Sequence, residues 1–414
     1  MAKKQSVKLA ENGKASVENG KASVKNGKTR FDPMAVTWME KYDKQISTIW
    51  KTIPESFGKL IATVAIFMLG ISINGDWIGF LFHFKRQLGF YQAPVTANNS
   101  SSSFRWQDLG LEHFKLNDLW SFMWPSLLIS YSLYYFIGGF IHWYYYVRQR
   151  SNPEDWKCQP KKWLTPELEK DEIFWGSLTL FLNAAMSGIL TCYISNGGYS
   201  TVYYRMNEYG WIWFVLQFPV VFIYQDYTTY WLHRMYHWPF LYKHFHKLHH
   251  RYKQPTAFSV TAIHPVESVH IQLCLSAPLF FLPIHWLSFY TSAFYAYYHG
   301  IIDHSGVNFK AFWWQPWQPD AIFHDNHHQY FHVNFAFNIS FWDKLHGTYR
   351  QKDRIYNEDI FYGVGKSVDA ASTKELNDDI EERNLENPLA YRAEMPYKFS
   401  DKEVKKLKRE HIKS

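Results

Sequence analysis

WIWFVLQFPVVFIYQDYTTYWLHRMYHWPFLYKHFHKLHH, residues 211–250, joins an apolar run to a ladder of histidines. His233 and His237 stand four apart, so on a helix they point the same way, one turn above the other. His246, His249 and His250 give i, i+3, i+4 spacing, and His324, His327 and His328 repeat it. Of the chain's 20 histidines, 16 lie between residues 233 and 346. Neutral imidazole is the commonest protein metal ligand. One zinc-type ion takes about three or four protein ligands. Eight imidazoles from three short turns therefore predict two ions, held just beyond the end of an apolar helix. Imidazole suits Zn, Cu, Fe and Ni alike, so ligand type does not choose the metal.

Outward from this stretch, apolar segments recur at Leu60–Phe82, Leu119–Val147, Ile173–Ser195 and Trp211–Leu232. Each is about long enough to cross a hydrocarbon core of roughly 30 Å. Aromatic residues form 20 % of the chain, and Trp and Tyr favour membrane–water interfaces. The mean hydropathy of −0.33 averages polar ends with these segments. Lys and Arg gather before the first segment, at 148–162 and after 232, which by the positive-inside rule faces those loops to the cytosol. Asn98 and Asn99 begin overlapping glycosylation sequons in the 83–118 loop, on the other side. Pro278 and Pro283 interrupt a fifth apolar region, 271–298. A single span there would separate the second and third histidine groups, so a helical hairpin is expected, bent near Pro283–Trp286.

The expected architecture is all-α: an integral membrane helical bundle with a cytosolic histidine-rich helical cap. It divides into a disordered polar tail (1–35), a transmembrane region (36–210), a catalytic domain (211–350) and a polar cytosolic tail (351–414). Residues 11–28 repeat a Gly- and Lys-rich unit that cannot bury enough apolar surface to order itself. The net charge of +7 forms no dense basic stripe, which argues against nucleic-acid binding. Cys158, Cys192 and Cys274 are far apart in sequence and predict neither disulfides nor a zinc–thiolate site.

The order of motifs over about residues 215–350 resembles the fatty acid hydroxylase superfamily, its sterol desaturase and sterol oxidase branch. The residues carrying the resemblance are Asp226 through His237, the 246–250 group, Ala262-Ile-His264-Pro-Val-Glu267, Asp303-His304-Ser-Gly, the 324–328 group and Trp342-Asp-Lys-Leu-His-Gly347-Thr. That resemblance implies an endoplasmic reticulum membrane enzyme with a non-haem centre of two Fe ions facing the cytosol. It also implies O2 as co-substrate, and electrons from cytochrome b5 and an NAD(P)H-dependent reductase. Zinc can replace iron at such a site in purified samples. Carried over, the metal ligands are His233, His237, His246, His249, His250, His324, His327 and His328, with His304 and His299 as a further pair. Asp226, His264 and Glu267 are expected to orient ligands from behind; no catalytic group is expected beyond the metal ligands. His244, His270, His285, His332 and His346 read as structural. Many members have Gly after Asn-[Phe/Tyr] where this chain has Asn334-Phe335-Ala336, so a Cβ there is expected to alter the turn. No His-Pro-Gly-Gly haem motif occurs, so the electron donor is expected to be a partner.

The Asp303-His304-Ser-Gly and Trp342–Thr348 motifs favour a sterol substrate. A fatty acyl or sphingoid-base hydroxylase is the alternative. A metal transporter would place its ionisable groups near the midplane of the spans, whereas these lie at segment ends. Complete ligand groups argue against a mere scaffold.

Overall fold

The computed structural model describes residues 38–91, 110–392 and 397–412, with 24–25 and 28–29. The sequons at Asn98 and Asn99, and almost all of the 1–35 tail, lie outside the described residues. The described chain is mostly helical. Its long helices are α1 (Glu55–Ser72), α2 (Trp77–Gln87), α3 (Leu119–His142), α4 (Pro166–Ser195), α5 (Trp211–Tyr236), α6 (Pro265–Ser276), α7 (Trp286–His304), α8 (Ile322–Tyr330), α9 (Thr373–Arg383) and α10 (Asp401–His411).

Helix α4 starts with Pro166 in its first turn and with the Thr165 side chain accepting from Leu168 N, which satisfies a free N–H at the helix start. Among the described helices it alone is long and apolar enough to cross a membrane. Leu60–Phe82, expected as one span, is instead two helices bent by 89°. The break is at Gly75, with φ of +70°; a Cβ there would meet Ala184 Cα at 2.6 Å. Beside it, buried Asp76 accepts hydrogen bonds from Ser187 Oγ and Tyr297 Oη, both at 2.6 Å. Helices α3 and α5, also expected as spans, carry many Tyr and Trp residues and, in α5, buried Gln217, Gln225 and Asp226. These residues lower their mean hydropathy while their bodies remain bulky and apolar.

The largest apolar cluster joins Ile66, Leu69 and Ile73 of α1, Tyr134 and Ile141 of α3, Leu180 of α4 and Ala293, Tyr297 and Ile301 of α7 around Phe258. Region 271–298 is broken at 277–285, as two helices joined by the turn Pro278–Phe281 and a two-residue strand. That strand, Ile284–His285, pairs in parallel with Val202–Tyr203. The hairpin returns the C-terminus of α7 towards the N-terminus of α6, so His304 and Glu267 reach one layer.

Residues 351–414, expected as a solvated tail, are folded against the histidine-bearing region up to Arg392 and again from Tyr397. Two serines open α9 and α10 with reciprocal capping boxes, Ser372–Glu375 and Ser400–Glu403, and α9 packs Leu376 and Ile380 on Ile355. Polar composition hid this, because the burial is largely of polar groups. Arg350 and Glu386 form a fully buried ion pair at 2.9 Å, joined by the hydroxyls of Tyr330 and Tyr391. Asn326 Nδ2 donates to Tyr391 Oη at 2.7 Å, which ties the segment to α8. Replacing one partner of a buried pair strands the other charge and costs about 3–5 kcal/mol. Glu386→Ala should therefore lower the thermal midpoint markedly in a calorimetric scan. A loss below about 1 kcal/mol, typical of an exposed pair, would remove this tie from the account.

Candidate metal centre

Nine buried imidazoles meet in two groups. His233, His237, His246, His250 and His327 form one, and His249, His304, His324 and His328 the other; within each, one ligand atom per residue lies within 4.8 Å of every other. The sequence groups interleave. From the second, His246 and His250 serve one site and His249 the other. From the third, His324 and His328 serve one site and His327 the other. Pairs four apart fall in the same group, and the residue between them turns towards the other. The 246–251 segment does this as a 3-10 turn rather than the expected α-helix.

The outer nitrogens fix most of the tautomers. His233 Nδ1 donates to Phe335 O at 2.8 Å, His327 Nδ1 to Val333 O at 2.7 Å, His304 Nδ1 to Gly300 O at 2.8 Å and His249 Nδ1 to Ala262 O at 3.3 Å. A carbonyl can only accept, so each ring turns an Nε2 lone pair inward. His246 Nδ1 donates to Glu267 Oε1 at 2.6 Å. His332 Nε2 donates to Glu358 O at 2.8 Å, so its Nδ1 accepts from His237 Nδ1 at 2.9 Å. Six of the nine rings are thus held from behind, as ligating histidines commonly are.

The residues fit a metal. His249 Nε2 and His304 Nε2 are both acceptors, yet they face each other at 3.3 Å, and His324 Nε2 lies 3.0 Å from His304 Nε2. Two lone pairs cannot form a hydrogen bond; a shared cation removes the conflict. Nitrogens about 2.0–2.1 Å from a tetrahedral ion lie about 3.3–3.4 Å apart. His233 Nε2, His246 Nε2, His327 Nε2 and both ring nitrogens of His328 have no protein partner although buried. Burial holds His233, His249, His327 and His328 well below the ordinary imidazole range, which keeps them neutral and able to bind metal at neutral pH.

Not every candidate joins the centre. His299 lies outside both groups; its Nε2 is 3.3 Å from Gln315 Nε2, and its ring packs on Tyr295. Its five-residue offset from His304 puts it on another side of α7. His264 caps α6 by accepting from Val266 N at 3.2 Å, which fixes the turn bearing Glu267. Asp226 touches no histidine. It accepts from Asn338 N, Asn338 Nδ2, Ile339 N and Trp342 Nε1 at 2.8–3.2 Å, and so holds the loop that presents Phe337 to His233, His304 and His324.

Two further residues position the rings. His332, expected to be structural, stands behind His237, a place that depends on the fold. Asp343 accepts from Phe335 N at 2.9 Å, Ala336 N at 2.8 Å and Thr348 Oγ1 at 2.5 Å, setting the carbonyl that His233 needs. Its position in the Trp342–Thr348 motif was the available signal. The left-handed residue of this turn is Asn334, at φ +56°, not Ala336, so the Cβ of Ala336 imposes no backbone strain.

A cavity of about 150 Å³ reaches His233, His246, His249 and His304 between apolar side chains of α5, α6 and α7, including Phe222, Ile271, Leu275 and Ala296. A second, open apolar cleft of about 960 Å³ lies on the other side of α7, with Phe67, Phe294, Trp314 and His299 at its walls. Trp314 lines that cleft, Trp313 beside it is exposed, and Trp317 Nε1 donates to Tyr295 Oη.

Residues 218–348 match the fatty acid hydroxylase family. Similar curated proteins include the probable Delta(7)-sterol 5(6)-desaturase of Neurospora crassa, 29 % identical over 44 % of this chain and 51 % of its own length. A Delta(7)-sterol 5(6)-desaturase of Schizosaccharomyces pombe is 26 % identical over 47 % of this chain and 67 % of its own. One from Aspergillus fumigatus is 29 % identical over 43 % of this chain and 50 % of its own. The chain thus spans about half to two thirds of these relatives. No solved structure matches it significantly. The family match covers all nine converging histidines, Glu267, His332 and Asp343.

Loss of a group that orients a ligand typically costs 10–100-fold in metal affinity. Glu267→Gln should weaken metal binding by about that factor in a chelator competition titration, with circular dichroism unchanged. Undiminished affinity would mean that the carboxylate does not set His246. Stripping the metal should lower the thermal midpoint, since an ion that binds only the folded state stabilises it.

Proposed function

We propose that this chain is a membrane-bound, O2-dependent, non-haem iron enzyme that hydroxylates or desaturates a lipid, with a sterol favoured. The carrying observation is the convergence of nine inward-facing imidazoles at the end of an apolar cavity. The desaturases among its relatives support the sterol choice.

His233, His237, His246, His250 and His327 would hold one iron, and His249, His304, His324 and His328 the other. When bound, iron supplies the reductive activation of O2 that breaking an unactivated C–H bond requires, with electrons drawn from cytochrome b5 and an NAD(P)H reductase. The chain's residues do the rest. Glu267, His332 and the carbonyls of Ala262, Gly300, Val333 and Phe335 fix ring orientation, so little rearrangement is needed during reaction. Phe337 and the walls of the cavity exclude water from the inner face and limit which carbon of the lipid approaches.

A membrane setting is supported by α4, by the bent α1–α2 pair, and by large apolar side chains left exposed on several helices, among them Leu128, Phe136, Phe174, Ile212 and Val215. Large apolar side chains left exposed on several helices suit contact with lipid or partners. The basic loops support a reading in which the histidine layer lies at the cytosolic rim of the endoplasmic reticulum membrane.

Protein purified anaerobically should carry iron at both sites and convert a Delta(7)-sterol, with reductant and O2, to a product that has lost two hydrogens or gained an oxygen by mass spectrometry. His249→Ala should give no product at unchanged protein level. Normal product from that variant would defeat the reading. Unchanged sterols with loss of hydroxylated ceramides in cells lacking the protein would move the substrate to the sphingoid class.

A further inference from the structure

Resting on the lipid-oxidation reading, the geometry points to Gln272 as the group that receives a lipid hydroxyl in the metal-facing cavity, which makes a free lipid alcohol the substrate class. Gln272 lines that cavity and is 7 % exposed. Its amide orientation is decided by its neighbours. One end lies 3.2 Å from Asn183 O and 3.4 Å from Asn74 O. Both are carbonyls, so that end must be the NH2 group. The opposite end is therefore the oxygen, and Gln272 Oε1 is buried without any protein partner.

An unpaired buried acceptor is costly and needs an explanation. Here the missing partner must be a donor that enters the cavity. Asn338 Oδ1, in a residue that lines the same cavity, is likewise buried and unpartnered, and its orientation is fixed because Asn338 Nδ2 donates to Asp226 Oδ1 at 2.9 Å. The two amide groups of fixed orientation in this apolar space thus offer acceptors. A hydroxyl supplies the complement. A ketone, an ester or a bare acyl chain supplies none, and a ketone would set acceptor against acceptor.

Position along α6 gives the arrangement a use. Glu267, in the first turn, holds His246, and Gln272 follows five residues later, about 7–8 Å along the axis. A lipid hydroxyl held at Gln272 would place carbons a short distance from it, within a rigid ring system, against the histidine layer. Sites built to hydrogen-bond a substrate hydroxyl reject analogues that lack it, because the site's own polar group is then left unpaired.

The test is equilibrium binding to the full-length, metal-loaded protein in nanodiscs, with a Delta(7)-sterol carrying a free 3-hydroxyl and with its 3-ketone. Wild type should bind the alcohol at least about tenfold more tightly, and Gln272→Leu should abolish that preference while binding the ketone no worse. Equal wild-type affinities would overturn the proposal, even if the variant fails to fold. So would equal weakening of both ligands in the variant, or binding of neither. Iron content and product formation are measured on the same samples. Iron and product with no alcohol preference would sink the hydroxyl site alone; an alcohol preference without either would sink the oxidation reading instead.

Discussion

Lone pairs pointed at one another are the constraint on which this structure depends. Each inward Nε2 has lost water and gained no donor, and His249 and His304 face each other as acceptors at 3.3 Å. Neutral polar groups buried without partners cost free energy. Six of them, on the rings already held from behind, together make an arrangement that cations would satisfy. The fold resists the obvious escape, rotation of the rings outward, because backbone carbonyls, Glu267 and His332 already occupy the outer nitrogens.

That restraint explains features distant from the histidines. Asp343 and Asp226 bind no imidazole, yet they hold the 334–342 loop, whose Phe335 carbonyl fixes His233 and whose Phe337 ring covers three of the histidines. The helical hairpin α6–α7 brings Glu267 and His304 together from opposite ends of a long apolar excursion. Residues 351–392 press α8 from the far side through Glu386 and Tyr391, which meet Arg350, Tyr330 and Asn326. The centre therefore draws on most of the C-terminal half, and its rigidity comes from hydrogen bonds to backbone rather than from any one helix.

The two hollows beside α7 differ in character. The enclosed one ends on histidines and carries unpartnered amide oxygens, so it selects by polarity as well as shape. The open one is apolar almost throughout and turns towards the surface that carries exposed Val64, Phe67 and Leu81. Helix α7 separates them, with Gly300 and His304 towards the metal layer and Tyr295 and His299 towards the cleft.

The sequence alone determined that imidazoles would gather in pairs at helical spacing beyond an apolar helix, because i and i+4 side chains share a face whatever lies around them. It determined the helical class and pointed to the break in 271–298, since Pro278 and Pro283 each remove a backbone donor from the same short stretch. His304 was legible from Asp303-His304-Ser-Gly by resemblance. Tertiary structure decided which histidine joined which group, because the rings of one sequence cluster divide between the two groups according to what stands opposite. It set His299 aside and enlisted His332, two residues alike in composition and distinguished only by position. It also bent the first apolar segment and folded the polar C-terminal region. Buried ion pairs and amide networks leave no apolar period in a sequence, so burial of that kind becomes visible only when distant partners meet.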